Sequence, residues 1–178
     1  MAQAKRKKKF FDVEIPIINK QTQMQAYEFS ELDGRFIKYD LTRILKGKSM
    51  ILTLKVKVEG NEAVAIPKKI LLMPAFLRRM MRKGTDYVED SFSAECKDAV
   101  LRIKPFLITR RKVSRSVRKA LREKAKEELI NYVKERTYDE LFDGILKNQI
   151  QRPLSQKLKK IYPLALCEIK DFEAKEKI

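Results

Sequence analysis

The chain has 178 residues, and its 41 Lys and Arg against 24 Asp and Glu give a formal charge of +17. It contains no histidine, which excludes His-based acid–base catalysis, His-dependent triads and nearly all zinc sites. No apolar run approaches the ~18 residues of a membrane span, and residues 1–9 lack the apolar core of a signal peptide. We therefore expect a reduced, cytosolic protein with two buried thiols, Cys96 and Cys167, which could pair only in an oxidising compartment.

A basic tail opens the chain. Residues 5–9 are five consecutive cations, a pattern typical of a segment that is disordered alone and orders against a polyanion. A solubilising or nuclear-targeting role explains this tail equally well.

Strand-like patterns follow, over residues 10–18, 25–32, 34–41, 50–58 and 62–73. Lys55 and Lys57 alternate with apolar neighbours, as in a half-buried antiparallel strand, and residues 59–62 (EGNE) predict a hairpin turn. A short helix is expected over 74–84, with Pro74 in its first turn and Gly84 past its end. Strands are expected again over 86–97 and 99–109.

The last third is predicted to be helical. Ser114 or Ser116 can cap a helix to about residue 136, and Thr137 and Glu140 form a capping box for a helix to about 149. A short turn over 152–161 precedes a closing strand over 162–172. This segment is too apolar for a free tail, so we expect it to pair back into the N-terminal sheet and to bury Cys167 as a small apolar side chain.

These patterns predict an α+β fold with a mostly antiparallel, barrel-like sheet, a helical C-terminal third and one returning strand. The length and the apolar content of 44% suit a single domain. We expect that domain over residues 10–174, with tails at 1–9 and 175–178.

The charge is concentrated in one block. Residues 102–126 contain eleven cations and one acid, Glu123, whereas residues 127–178 contain ten cations and ten acids. At ~100° per residue, Arg115, Arg118, Lys119, Arg122 and Lys126 share one arc of the predicted helix, opposite Val117, Ala120 and Leu121. A plain solvated face usually mixes charge signs. The stripe therefore favours contact with nucleic-acid phosphates.

A second basic patch lies between Ala63 and Thr85, where no acid occurs. Its Phe76, Met80 and Met81 are predicted to be core or protein-interface residues rather than base-stacking ones. With the tail and the stripe, the candidate RNA-binding residues are Lys5, Arg6, Lys7, Lys8, Lys9, Lys68, Lys69, Arg78, Arg79, Arg82, Lys83, Arg110, Arg111, Lys112, Arg115, Arg118, Lys119, Arg122 and Lys126.

Sequence-reading modules are missing, including zinc fingers, KH loops, RNP-type aromatic strands and basic heptad arrays. This pattern predicts recognition of shape and backbone, which suits structured RNA. The acids Asp86, Glu89 and Asp90 are the formal candidates for a carboxylate dyad, but no phosphate loop or acidic motif accompanies them. We expect no catalysis, no cofactor and no metal.

Several segments in this order resemble one family: KKKFFDVEIP, GRFIKYDLT, LRIKPFLITRRKVSRSVRKALREK and KKIYPLALCEIKDFEA. The chain resembles the S-three-A-e family, also called e-S-one, of archaeal and eukaryotic small-subunit ribosomal proteins, over roughly residues 7–174. Phe10 and Phe11 stand where the family usually has Trp. The chain is short for the family and lacks the long C-terminal extension of eukaryotic members, so it resembles an archaeal, reduced member.

The resemblance implies a structural, non-enzymatic protein of the cytoplasmic small ribosomal subunit that binds rRNA. It implies a place on the platform near the mRNA exit and the rRNA 3′ end, beside universal protein S-eleven and close to mRNA, without a membrane or small-molecule substrate. A free-standing RNA-binding protein or RNA chaperone using the same surfaces is the alternative. A nuclease or RNA-modifying enzyme is a third hypothesis, which needs a carboxylate cluster beside the basic helix.

Overall fold

The computed structural model describes residues 7–60 and 62–175. Nine strands lie in this part of the chain: β1 (Lys9–Ile15), β2 (Lys20–Ala26), β3 (Phe36–Asp40), β4 (Met50–Glu59), β5 (Glu62–Leu72), β6 (Tyr87–Glu89), β7 (Phe92–Glu95), β8 (Val100–Thr109) and β9 (Leu164–Lys175). The same residues form four α-helices: α1 (Pro74–Met80), α2 (Arg115–Lys134), α3 (Tyr138–Leu146) and α4 (Gln151–Leu158). The mixed helix-and-strand class and the helical last third are as predicted.

The sheet is open, so the predicted barrel-like closure is wrong. Hydrogen bonding orders the strands β2-β1-β5-β9-β8-β6, with β4 joining β3 to β5, and β7 beside β8. A barrel requires the two end strands to pair with each other. Here β2 is a polar strand (KQTQMQA) and β6 has only three residues. Polar or short edge strands of this kind discourage further strand pairing.

The described residues form two compact units. The first comprises residues 7–39, 52–60 and 62–68. In it β1 and β2 form an antiparallel hairpin with Lys9 opposite Ala26, and Asn19 supplies the left-handed turn with φ of 49°. Val13, Ile15 and Leu32 are among its fully buried side chains.

One strand prediction in this first unit is wrong. The pattern over 25–32 predicts a strand, but β2 ends at Ala26, and a 3-10 turn covers Phe29–Leu32. The hairpin register of β1 sets the position of β2, which is an exposed polar strand with little apolar alternation of its own. The aromatic ring of Phe29 instead packs edge-on against Phe11, with 5.6 Å between centroids.

The second unit comprises residues 40–51 and 69–175. Its centre is the antiparallel pair β8–β9, from Val100 opposite Lys175 to Thr109 opposite Leu164. Both β6 and β7 pair with β8, because the predicted strand over 86–97 is broken after Glu89. Helix α2 packs against β6, β7 and α4, and α4 packs against β9. The returning strand is thus a central strand of this unit, with β5 on its other side at residues 69–71.

The core of the second unit is apolar and aromatic. Phe142 of α3 and Phe172 of β9 meet edge to face at 5.0 Å, and both are fully buried. Cys96 is buried as predicted, whereas Cys167 is only half-buried, and both thiols are free. The expectation of one domain over residues 10–174 stays a prediction.

Candidate nucleic-acid interface

The loop over residues 110–114, which joins β8 to α2, presents the centre of the basic block. Asp86 holds it: one carboxylate oxygen accepts the backbone N–H of Val113 at 2.9 Å. Thr109, fully buried, accepts the Asp86 N–H at 3.1 Å, and its hydroxyl lies 2.7 Å from the Arg111 carbonyl. The exposed side chains of Arg110, Arg111 and Lys112 therefore project from a loop fixed at both ends.

Helix α2 begins at the end of this loop. Ser114 is its N-cap, accepting the Val117 N–H at 3.5 Å, as predicted. No acid occupies the first turn. Cations there oppose the helix dipole, whose positive end attracts anions. The start of α2 is therefore electrostatically unfavourable until an anion neutralises it.

One face of α2 packs inward through four buried residues, Leu121, Ala125, Leu129 and Val133. Ala120, predicted on the inward face, is only half-buried, as is Val117. Arg115, Lys119, Arg122 and Lys126 are exposed and Arg118 is half-buried. The predicted stripe is therefore accessible along the first three turns.

The cations of this region lack acidic partners. Across residues 7–60 and 62–175, no ion pair involves Arg78, Arg79, Arg82, Lys83, Arg110, Arg111, Lys112, Arg115, Arg118, Arg122 or Lys126, and Lys119 meets Glu123 only at 3.8 Å on the surface. Farther along the chain, Lys124 pairs with Glu127 and Glu128, and Lys147 with Asp143. The unpaired cations define a surface, here called the basic surface, whose charge no described acid of the chain neutralises.

The predicted patch over 78–83 belongs to the same unit as α2. Arg78, Arg79, Arg82 and Lys83 are exposed, and Arg82 and Arg110 line the same groove. The Arg79 guanidinium lies 5.5 Å from the ring of Phe76, which is buried as predicted.

Lys68 and Lys69 differ from the rest. The Lys69 ammonium lies 3.3 Å from both Asp171 and Glu173. Partial burial works to lower the pKa of Lys69, but these carboxylates raise it overall. Lys68, half-buried, also has an interaction partner. Lys69 is therefore held in ion pairs with β9. Neither residue belongs to the unpaired set that defines the basic surface, and RNA contact by Lys68 and Lys69 stays a prediction.

The described end of the tail, residues 7–9, belongs to the first unit. Lys5 and Arg6 lie outside the described residues, whereas Lys7, Lys8 and Lys9 are exposed. The Lys8 ammonium lies 5.5 Å from the Tyr27 ring centroid, and Lys9 begins β1.

The acids considered for catalysis have structural partners. Asp86 fixes the loop, Glu89 pairs with Lys170, and Asp90 accepts the Ser91 N–H. In the described part of the chain, His, Cys, Asp and Glu form no group able to hold a metal ion. No helix there is long and apolar enough to cross a membrane.

Comparison with known proteins gives the family. The model of the Ribosomal S3Ae family matches residues 2–177. The chain belongs to this family. The resemblance noted in the sequence is therefore confirmed, and membership of a family of ribosomal structural proteins agrees with the expectation that the chain is not an enzyme.

Archaeal members of the S3Ae family carry the name small ribosomal subunit protein eS1. The one from Methanothermobacter thermautotrophicus is 36% identical over 113 residues, which cover 63% of this chain and 58% of that protein. The one from Nanoarchaeum equitans is 26% identical over 183 residues, covering 97% of this chain and 92% of that protein. The one from Desulfurococcus amylolyticus is 27% identical over 144 residues, covering 78% of this chain and 68% of that protein.

The role of Asp86 in this S3Ae family member gives a prediction. We expect Asp86→Ala to speed hydrogen exchange at the Val113 amide and to cost about 1–3 kcal/mol of unfolding free energy, because a charge-assisted hydrogen bond is removed. RNA affinity should fall a few-fold although a negative charge beside the basic surface has been removed. Asp90→Ala is the control. It removes the same charge, but the hydrogen bond that it removes is only the one to the Ser91 N–H, and the bond from Val113 to Asp86 is kept. An unchanged Val113 exchange rate would contradict this role of Asp86.

Proposed function

We propose that this chain is a structural constituent of the small ribosomal subunit that supports translation by binding small-subunit rRNA through its phosphate backbone. Family membership over residues 2–177 carries the proposal, and the names of the archaeal relatives support it. The basic surface supports the rRNA-binding part. Neighbouring small-subunit ribosomal proteins would be its protein partners, and the cytoplasmic ribosome its location.

The physical support is the absence of acidic partners around the basic surface, within the residues that the structure describes. Each Lys or Arg that neutralises a phosphate releases condensed counterions, which favours binding to RNA. Arg side chains can also take two phosphate oxygens at once. The same contact would relieve the unfavourable cations at the start of α2.

The finer placement is part of the proposal. The family resemblance supports a site on the platform, near the mRNA exit and the rRNA 3′ end, beside protein S-eleven. Cross-linking of assembled archaeal subunits followed by mass spectrometry tests it: we expect links from Lys83 and Lys112 to rRNA near its 3′ end and from this chain to S-eleven. Links only to proteins distant from the platform would contradict the placement.

Sedimentation tests the proposal as a whole. In a sucrose gradient at moderate salt, we expect the chain to migrate with small subunits in a one-to-one ratio. A free RNA-binding protein or RNA chaperone would stay near the top of the gradient. Incubation of the purified chain with rRNA and Mg²⁺ or Mn²⁺ should give no cleavage, whereas a nuclease would cut.

The tail provides a separate prediction. Replacing Lys5, Arg6, Lys7 and Lys8 by Gln should weaken rRNA binding. It should also reduce the magnitude of the negative slope of log K against log salt by about 0.7–0.9 for each phosphate that the tail no longer neutralises. The melting temperature should change by less than about 2 °C, because Lys7 and Lys8 precede the first strand of the described residues, which begins at Lys9. Calorimetry and salt-dependent binding measure both quantities. A large fall in melting temperature would show that the tail is part of the folded core.

A further inference from the structure

A groove in the second unit has an apolar floor and a cationic rim. Met80, Ile108, Ala165 and Leu166 supply apolar lining, and Arg82, Arg110 and Thr85 supply the polar part. We propose that this groove binds one unpaired nucleotide of RNA, with the base on the apolar floor and a phosphate between Arg82 and Arg110. The proposal rests on the RNA-binding function above and adds a base-contacting site to the backbone contacts.

An exposed aromatic ring lies beside the groove. Tyr87 is directly opposite Ile108 in the β6–β8 ladder, and Ile108 is opposite Leu166 in the β8–β9 ladder. Residues directly opposite in antiparallel strands have side chains on one face, about 5 Å apart at Cβ. Tyr87 is 55% exposed and stacks on Phe106 at 5.7 Å with an interplanar angle of 21°. Phe106 holds the Tyr87 ring in place, leaving that ring accessible to a base.

The rim carries the charge that a nucleotide requires. Neither Arg82 nor Arg110 has an ion-pair partner among the residues that the structure describes. The one carboxylate next to Thr85, that of Asp86, is engaged by the Val113 N–H. A phosphate would therefore meet two available guanidinium groups a short way from an apolar surface.

These features favour a nucleotide over an acidic peptide. A peptide that adds to a sheet needs a free strand edge, and β8, which supplies Ile108 to the groove, has none because β9 and β6 pair with it on its two sides. A nucleotide offers a planar base and a phosphate, which match one accessible ring and two guanidinium groups. Stacking of a base on an aromatic ring contributes about 1–3 kcal/mol.

The test compares a single strand with a duplex. Affinities of the full chain for a labelled 12-nucleotide oligouridine and for a blunt 12-base-pair RNA duplex are measured by fluorescence anisotropy. We expect Tyr87→Leu, which removes the ring, and Ala165→Leu, which fills the groove, to lower affinity for the single strand about tenfold each. Duplex affinity should stay within about twofold, and the salt slope should not change, because the charge of the chain is unaltered.

Control variants keep the test decisive. Tyr87→Phe retains the ring and should bind like the wild type, and Phe36→Leu removes a 58% exposed aromatic residue from β3 without effect. Equal losses on both RNAs, or no loss with correctly folded variants, would overturn the nucleotide site while leaving the proposed function intact. Wild-type protein that binds neither RNA would instead contradict the backbone-binding part of the proposed function, and the nucleotide site with it. Tyr87-dependent binding of a deca-glutamate peptide, without Tyr87-dependent binding of oligouridine, would assign the groove to protein and overturn the proposal.

Discussion

Truncation after Lys160 is expected to leave the second unit unable to fold. It removes β9, which pairs with β8 along ten positions and with β5 at residues 69–71. Ile169 and Phe172 are each 1% exposed, so their partners would face water. The loss of stabilising free energy should exceed about 5–15 kcal/mol, which is the whole free energy of unfolding of a typical domain. We expect insoluble protein on expression and no cooperative melting transition.

Charge pairing adds to this loss. The buried carboxylate of Asp171 accepts a hydrogen bond from the Lys104 ammonium at 2.8 Å. It also lies 3.3 Å from the Lys69 ammonium. Glu168 pairs with Lys48 at 2.6 Å in a largely buried position. Without β9, three partly buried ammonium groups lose their partners, which is costly because unpaired charges resist burial.

A substitution within the same strand is the control. Burial raises the pKa of the Cys167 thiol to about 12, so the thiol is neutral at physiological pH and unsuited to act as a nucleophile or ligand. Cys167→Ala should fold, assemble and lose only about 1 kcal/mol of unfolding free energy. A soluble truncation that still joins small subunits would show that residues 161–178 are a peripheral extension.

Neutralising the basic stripe should have the second large effect. Replacing Arg111, Arg115, Arg118 and Arg122 together by Gln is expected to lower rRNA affinity about a hundredfold at about 0.15 M salt. The magnitude of the negative slope of log K against log salt should fall by about 0.7–0.9 for each phosphate that the variant leaves without a cation. The melting temperature should hold or rise slightly, because Gln and Arg have similar helix propensities and the self-repulsion of the stripe is reduced.

A matched control removes four charges elsewhere. Lys134, Arg152, Lys159 and Lys160 are exposed and lie in the charge-balanced last part of the chain. Their joint replacement by Gln changes the net charge equally, and we expect a much smaller change in affinity and slope. If both quadruple variants bind alike, general charge accounts for the binding and the stripe has no special role. Wild-type affinity and slope in the stripe variant would remove the stripe from the interface.

Helix positions could be predicted well from the sequence because their signals are local. The cap at Ser114 and the capping box at Thr137, whose N–H donates to Glu140 at 3.2 Å, are both present in the structure. A cap depends on groups three or four residues apart, so a short stretch of sequence contains it. The left-handed Gly60 between β4 and β5, with φ of 64°, is similarly local.

The basic surface was predictable in composition but not in detail. Consecutive cations without acids identify a charged segment, yet Lys69 is paired with acids that follow it by roughly a hundred residues. Asp86 likewise acts on an amide 27 residues away. No local pattern distinguishes this acid from Asp90, which bonds only to its neighbour. Which ionic groups are free depends on partners that the fold brings close.

The sequence by itself determined the family, the helices, the returning strand and the block of charge, all of which reside in short patterns or in their order along the chain. Three features were decided only by the tertiary structure. The sheet stays open, β2 lies beside β1 over residues 20–26, and Arg82, Ile108 and Leu166 line one groove. Alternation shows that a strand has an apolar face but does not specify its neighbour. Pairing between distant strands is selected by the packing of the whole chain, so it must be seen in the structure.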